Sequence, residues 1–356
     1  MKHHFTYYIF LFIISSSIAL SQATFISVTN GNWSDNGTWL KISGVDEDLI
    51  PDANDTVRIA TIQTDTVTIL SGTDDACATL EIGSLFSTGG LLKFSGSTSS
   101  LTVEKCTIFQ SPDTLTRKID VGSGIFSITN NLTFEATDGN ADHNSILSLT
   151  TGTLTVNGNI IFDASNASNA VLDLSGACQV NLGGAIILNS LGTISTNGSG
   201  STFNYNGINS QVVAVDIPGF VYENLYINNS SLNGAVLNGN ITPFNVTGDL
   251  KIKQGTLKTA SFSITGNPGK QLSVDSGGTI VLGENSTTQG FPTGFGTVNL
   301  NAYSTVKYMG GNQNVTNLSG GYGNLTLETG SGNSTKTLPA SILTIVGNFT
   351  VQAGNG

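Results

Sequence analysis

Two short stretches hold most of the side chains that could do chemistry. "SPDTLTRKID" carries Asp113, Arg117, Lys118 and Asp120, and "EATDGNADHNS" carries Glu135, Asp138, Asp142 and His143. Mixed acids and bases of this kind suit polysaccharide cleavage. Hydrolysis needs two carboxylates facing each other across the scissile bond. Elimination needs a base such as Lys, Arg or His, often with a calcium ion on the developing anion. Past the first 23 residues, however, His143 is the single histidine, and Arg58 and Arg117 are the two arginines. No spacing within either stretch is diagnostic of a reaction, and both read equally well as solvated turns. No catalytic residue is therefore assigned, and a non-enzymatic chain is expected.

The remaining candidates are metals and thiols. Asp46, Glu47, Asp48, Asp52 and Asp55 form an acidic run whose oxygens could serve calcium. Neither an EF-hand loop nor a glycine- and aspartate-rich β-roll repeat frames it, so a solvated acidic loop is the plainer reading. The three cysteines, Cys77, Cys106 and Cys178, match no metal spacing. An odd number cannot all pair internally. Cys77 and Cys106 could form a disulfide, but small apolar core residues are the simpler assignment for all three. Phosphate loops, nucleophile elbows and dinucleotide fingerprints are absent from the sequence, so no cofactor is assigned.

The elements that would hold such residues are legible in the repetition. Between Ile146 and Ser201 the chain alternates runs such as "TLTV", "IIF", "VLDL", "QVNL" and "IIL" with Gly, Asn, Ser and Ala. Each run places one side chain in and the next out, the period-2 signature of a strand. Gly, Asn and Ser supply the turns between them. Three neighbouring runs occupy roughly 22–26 residues, which suits one coil of a stacked repeat. The low content of charged residues, 10%, suits it too. Stacking sets like positions above one another, where repeated charges repel and Asn, Thr and Ser can bond in ladders. The fold expected is all-β, a parallel β-helix or solenoid with right-handed coils and an N-terminal cap. A β-sandwich is the alternative.

Composition bounds the partners. The net charge of −11, with only 13 Lys and Arg in the chain, argues against nucleic acid. At the N-terminus, Lys2, His3 and His4 precede the apolar "FTYYIFLFIISSSIAL" and the small residues Ser21 and Ala23. That layout predicts a signal peptide over residues 1–23, cleaved after Ala23, and export of the mature chain. The run is too short, and too soon polar again, for a membrane anchor, and no later stretch approaches a spanning helix. Residues 24–70 then read as cap and first strands, and 71–356 as the solenoid. The cap would centre on Trp33 and Trp39, the only tryptophans, because a solenoid needs an atypical end over its first core layer.

A longer repeat lies within the solenoid. "STFNYNGINSQVV" at Ser201 returns as "STVKYMGGNQNVT" at Ser304, "YENLYI" at Tyr222 as "YGNLTL" at Tyr322, and "TGDLKIKQG" at Thr247 as "VGNFTVQAG" at Val346. Residues 201–256 and 304–356 are thus two copies of a stack of coils. The entry segment "NGNWSDNGTW", with "DANDTVRI" and "DTVTIL", and the "YGNLTL…GNFTV" pattern resemble secreted β-helix surface proteins of gliding bacteria that use the type IX export route. The resemblance spans most of Thr24–Gly356. It implies export, display at the cell surface and often adhesion. It also implies a compact C-terminal sorting domain, whereas this sequence stops at "QAGNG" inside a repeat, as a truncated chain would.

Tyr205, Phe220, Tyr222, Tyr226, Tyr303, Tyr308 and Tyr322 cluster near the duplicated segments. Facing outward together they would make a sugar-stacking strip; facing inward they are core filler. The function expected is a secreted adhesin- or matrix-like rod that binds carbohydrate or a cell surface through many weak contacts. The alternatives are a polysaccharide lyase or glycoside hydrolase, whole or in part, and a purely structural spacer.

Overall fold

The computed structural model describes residues 22–60, 64–83, 89–109, 115–135, 144–163, 170–189, 192–196, 200–284, 287–329 and 334–353. Over these residues the chain is a parallel β-solenoid of about ten turns, with a single 3-10 turn at Asn36–Thr38 as its helical element. No helix among them is long and apolar enough to cross a membrane.

Three short strands make a coil in the N-terminal half. Leu101, Phe126, Leu154, Val180 and Phe203 stand above one another on one face. Leu80, Cys106, Leu132 and Ile160 do so on the next, and Ile119, Leu147, Leu172 and Ile194 on the third. All of these side chains are buried. Beyond the first coil, residues stacked in register on successive coils lie 19 to 28 positions apart, so the coil is more variable than the sequence period implies. The alternation explains why the strands form. Each Leu, Ile, Val or Phe turned inward contributes about 1.5–3 kcal/mol by leaving water. Stacking like on like repeats that gain at every level, as with the parallel rings of Phe134 and Phe162, 5.0 Å apart.

The first coil breaks the pattern. Thr24–Ser27 pairs in parallel with Thr56–Ile59 on one side but antiparallel with Trp39–Ser43 on the other. Trp33 and Trp39 are buried edge to face at 5.2 Å, and the Trp39 indole donates to the Trp33 carbonyl at 2.7 Å. This is the cap expected from the sequence: two bulky rings cover the first core layer, and the reversed strand removes the parallel edge. Ala23 is part of this end. It is fully buried, its N–H donates to the Asp55 carboxylate at 2.8 Å, and its carbonyl accepts from Thr56. Cleavage after Ala23 would remove these contacts.

The duplicated units fold alike but on different faces. Thr202–Tyr205 of the first copy sits above Gln179–Leu182 and below Asn224–Asn229. Thr305–Tyr308 of the second sits above Gly278–Leu282, in the series that runs through Gln211–Val213, Ala235–Leu237 and Leu257. The copy therefore resumes one strand further round the coil.

Candidate functional site

The ionisable residues singled out in the sequence do not come together into a reaction centre among the described residues. Arg117 is fully buried inside the coil, stacked between Gly90 and Ser145, and its side chain covers Gly83. Its inward strand position dictates this, and it places the guanidinium out of reach of a substrate. Lys118 and Asp120 lie outside on the same strand, 3.8 Å apart, with Ser148 of the next coil donating to Asp120 at 2.9 Å. Glu135 stacks on Asp163, and its carboxyl is held above the usual range by partial burial first and by the Asp163 charge second. Asp113, Asp138, Asp142 and His143 lie outside the described residues.

In the acidic run, Asp46, Asp52 and Asp55 bring carboxylate oxygens within 4.8 Å of one another. Three such oxygens could contribute to a hard cation such as calcium. Both oxygens of buried Asp55 already accept backbone N–H groups, from Ala23 and from Asp52, each at 2.8 Å. Burial nevertheless raises the Asp55 carboxyl, and the neighbouring Asp52 and Asp46 add to the rise. Asp48 instead accepts from Ile50, and Lys41 donates to the Asp46 carbonyl. The run thus orders its own loop and ties the cap to the first strand.

The three cysteines are free, buried thiols, as the simpler assignment had it. Desolvation pushes Cys178 up to about 11 and Cys77 and Cys106 further still, so none is a nucleophile at neutral pH.

The aromatic residues divide. Phe220, Tyr205, Tyr222, Tyr308 and Tyr322 are buried, Tyr226 is half-buried, and Tyr303 is exposed. No outward strip forms from them. Four of the tyrosines build the same polar knot twice. Tyr205 and Tyr222 hydroxyls meet at 3.2 Å; Ala214 donates its N–H to Tyr205, and Tyr222 donates to the Ala214 carbonyl at 2.7 Å. Tyr308 and Tyr322 meet at 3.1 Å and clasp Thr316 in the same way. Beside each pair a buried glutamine spans two coils. Gln211 accepts from Gly207 and donates to the Leu182 and Gly184 carbonyls; Gln313 accepts from Gly310 and donates to those of Leu282 and Gln289. Every donor and acceptor in these knots closes a corner, so they are architecture.

The outer surface is polar and cross-braced. Asn131 accepts from the backbone of Asn159, and Asn159 from Ala185, each at 2.8 Å. Asn181 donates to Thr155 along one face, and Asn204, itself buried, donates to Asn181. Two shallow clefts open between coils. One, of about 360 Å³, is lined by Asp216, Ile217, Pro218, Thr242, Phe244 and Asn245. The other, of about 340 Å³, lies where Phe295 and Val298 meet the Asn317–Gly321 turn. Phe244 is 85% exposed at the first. Reading by strand period missed it, because it sits in a turn, next to a proline.

Compared with protein-family models, curated proteins and solved structures, the chain matches none.

Proposed function

We propose that the chain is a non-enzymatic, exported rod that binds carbohydrate or cell-surface polymers through contacts spread along its length. The observation that carries this reading is the outer surface. Successive coils present amides and hydroxyls already fixed by bonds to a neighbouring coil, as with Asn131 and Asn159 and with Thr155 and Asn181. Such a surface loses little side-chain entropy when a polyhydroxylated polymer lies on it. Many weak contacts at a fixed repeat then add through effective concentration. Burial of Arg117, the one arginine in the two ionisable stretches, supports a binding role over polysaccharide cleavage. Export by the type IX route and surface display are the setting that the entry segment's resemblance implies.

The test is to incubate the full-length secreted chain with neutral and acidic polysaccharides, measuring both retention and polymer length. Retention with polymer length unchanged supports the reading. Reproducible shortening of any polymer overturns it in favour of an enzyme, and failure to retain any polymer or whole cells leaves a spacer.

A further inference from the structure

One edge of the C-terminal half is built differently from the rest. Pro218, Pro243 and Pro268 recur about 25 residues apart, on three successive coils. Each is the second residue of a closed turn. Phe220 donates its N–H to Ile217 at 3.0 Å, Asn245 to Thr242 at 3.2 Å, and Lys270 to Asn267 at 3.0 Å. Proline presets φ at that position and stiffens the turn before any ligand arrives. Gly219, at φ +84°, supplies the left-handed third residue that such a turn needs. The turns are bonded to each other as well. The Asn267 side chain donates to the Pro243 carbonyl at 3.3 Å and to that of Thr247 at 3.0 Å. The Asn245 side chain accepts from Thr242 and donates to Asn240, each at 2.8 Å. The edge is a ridge of locked corners.

On this ridge stand two features that the fold does not require. Phe244 is held 85% exposed, its own N–H reaching back to Thr242 Oγ1 at 3.4 Å. Across the cleft, Asp216 is exposed and adopts φ 60°, a left-handed conformation that non-glycine residues seldom take. The coil above accommodates it with Gly239, where a β-carbon would lie 2.4 Å from that of Asp216. Asn238 fixes the approach by accepting from Val215 at 2.9 Å. Strained residues beside an open cleft are where ligands are met.

We propose that the cleft between the Ile217–Phe220 and Thr242–Asn245 turns is a saccharide subsite for a neutral glycan. The Phe244 ring supplies a flat platform for the apolar face of a pyranose, and the Asp216 carboxylate accepts hydrogen bonds from its hydroxyls. The cleft is shallow and joins an apolar wall of Ile217, Pro218 and Phe244 to the polar groups of Asp216, Thr242 and Asn245, the mix a sugar ring presents. A carboxylate at the site of a chain with net charge −11 disfavours acidic polymers. The inference rests on the carbohydrate-binding reading and assigns its point of contact.

Affinity electrophoresis of the full-length chain in gels containing laminarin, xylan or alginate tests it. Wild type should be retarded by a neutral polymer, laminarin or xylan, more than by alginate. Phe244→Ala should weaken that retardation at least tenfold and Asp216→Asn severalfold, since asparagine tolerates the same backbone. Tyr303→Ala, which removes an exposed ring at another corner, should change nothing. Because Phe244 is solvent-exposed, unchanged circular dichroism is expected to show that its variant folds. If wild type is retarded and Phe244→Ala is retarded equally, the subsite is refuted while the carbohydrate reading stands. If alginate retards it most, the neutral assignment is refuted. If no polymer retards wild type, the carbohydrate reading fails and the subsite with it.

Discussion

The two copies of the duplicated unit share a polar knot but not its surroundings. In the first copy, Tyr222 packs edge to face on Phe203 at 5.1 Å, and Asn229 adds a 2.7 Å bond to Gln211. In the second, the ring against Tyr322 is Phe291, at 6.3 Å, and Val306 stands where Phe203 stands in the first. Downstream, Leu250 and Ile252 of the first copy stack on Leu225 and Ile227, and their counterparts Phe349 and Val351 stack on Leu325 and Leu327. Other hydrogen bonds recur in both copies: Asn224 accepts from Asp249 at 3.0 Å, and Asn324 from Asn348 at 2.9 Å. What the pair teaches is that one polar closure sets how the chain turns over two different aromatic packings.

That shared closure predicts the largest effect at the glutamines. Gln211→Met orphans the Gly207 N–H and the Gly184 carbonyl in a buried corner, and it removes one of two partners from the Leu182 carbonyl and the Asn229 amide. Each orphaned group costs about 1–3 kcal/mol, so the whole change should cost about 3 kcal/mol or more. Gln313→Met removes three bonds and should cost less. Denaturant titration of both variants sharpens the comparison, and equal losses would break it. Next come the core positions. Leu250→Ala should destabilise by about 2–5 kcal/mol, the range for a fully buried leucine.

The sequence carried much of the architecture and little of the site. Alternation in "TLTV" or "QVNL" is a direct consequence of which side chains face the core, so strands, coil length and the tryptophan cap could be read from residue types alone. The tyrosines could not be oriented that way. Tyr205 and Tyr303 have the same composition around them, yet one closes a buried corner and the other stands in solvent, because only the stacking of coils decides which turn is covered. The proline turns recur about 25 residues apart, outside the apolar runs that carry the strand period. Of the ionisable candidates read as solvated turns, Lys118 and Asp120 lie on a strand, Thr116–Gly122, whose inward positions bury Arg117.

Titration offers a third probe of the knots. Burial raises the Tyr205 hydroxyl to about 12 and lifts Tyr222 and Tyr322 further, by desolvation first and by the paired hydroxyl second. The folded chain therefore keeps these protons in alkali that removes them from the unfolded chain, whose tyrosines titrate near 10. Stability is fully present below about pH 10 and falls as pH rises from there toward the folded value. Equilibrium unfolding at pH 8, 10 and 11 should show that decline, and it should be smaller in a Tyr205→Phe, Tyr222→Phe double variant. A decline equally steep in that variant would assign the effect to other groups.

The smallest effect tests the polar rows between coils. Where the first copy has Asn204 bonded to Asn181 at 3.0 Å, the second has Lys307 paired with Glu328. Both side chains of that pair are partly exposed, and exposed pairs contribute about 0–1 kcal/mol. Lys307→Gln should therefore cost less than about 1 kcal/mol in low salt, and the difference should vanish near 1 M salt, where the screening length is about 3 Å. Asn204→Ala loses a neutral amide bond of about 0.5–1.5 kcal/mol that salt does not screen. The two rows then separate by salt dependence: a loss at Lys307 that persists in high salt would mean that its charge is not what matters there.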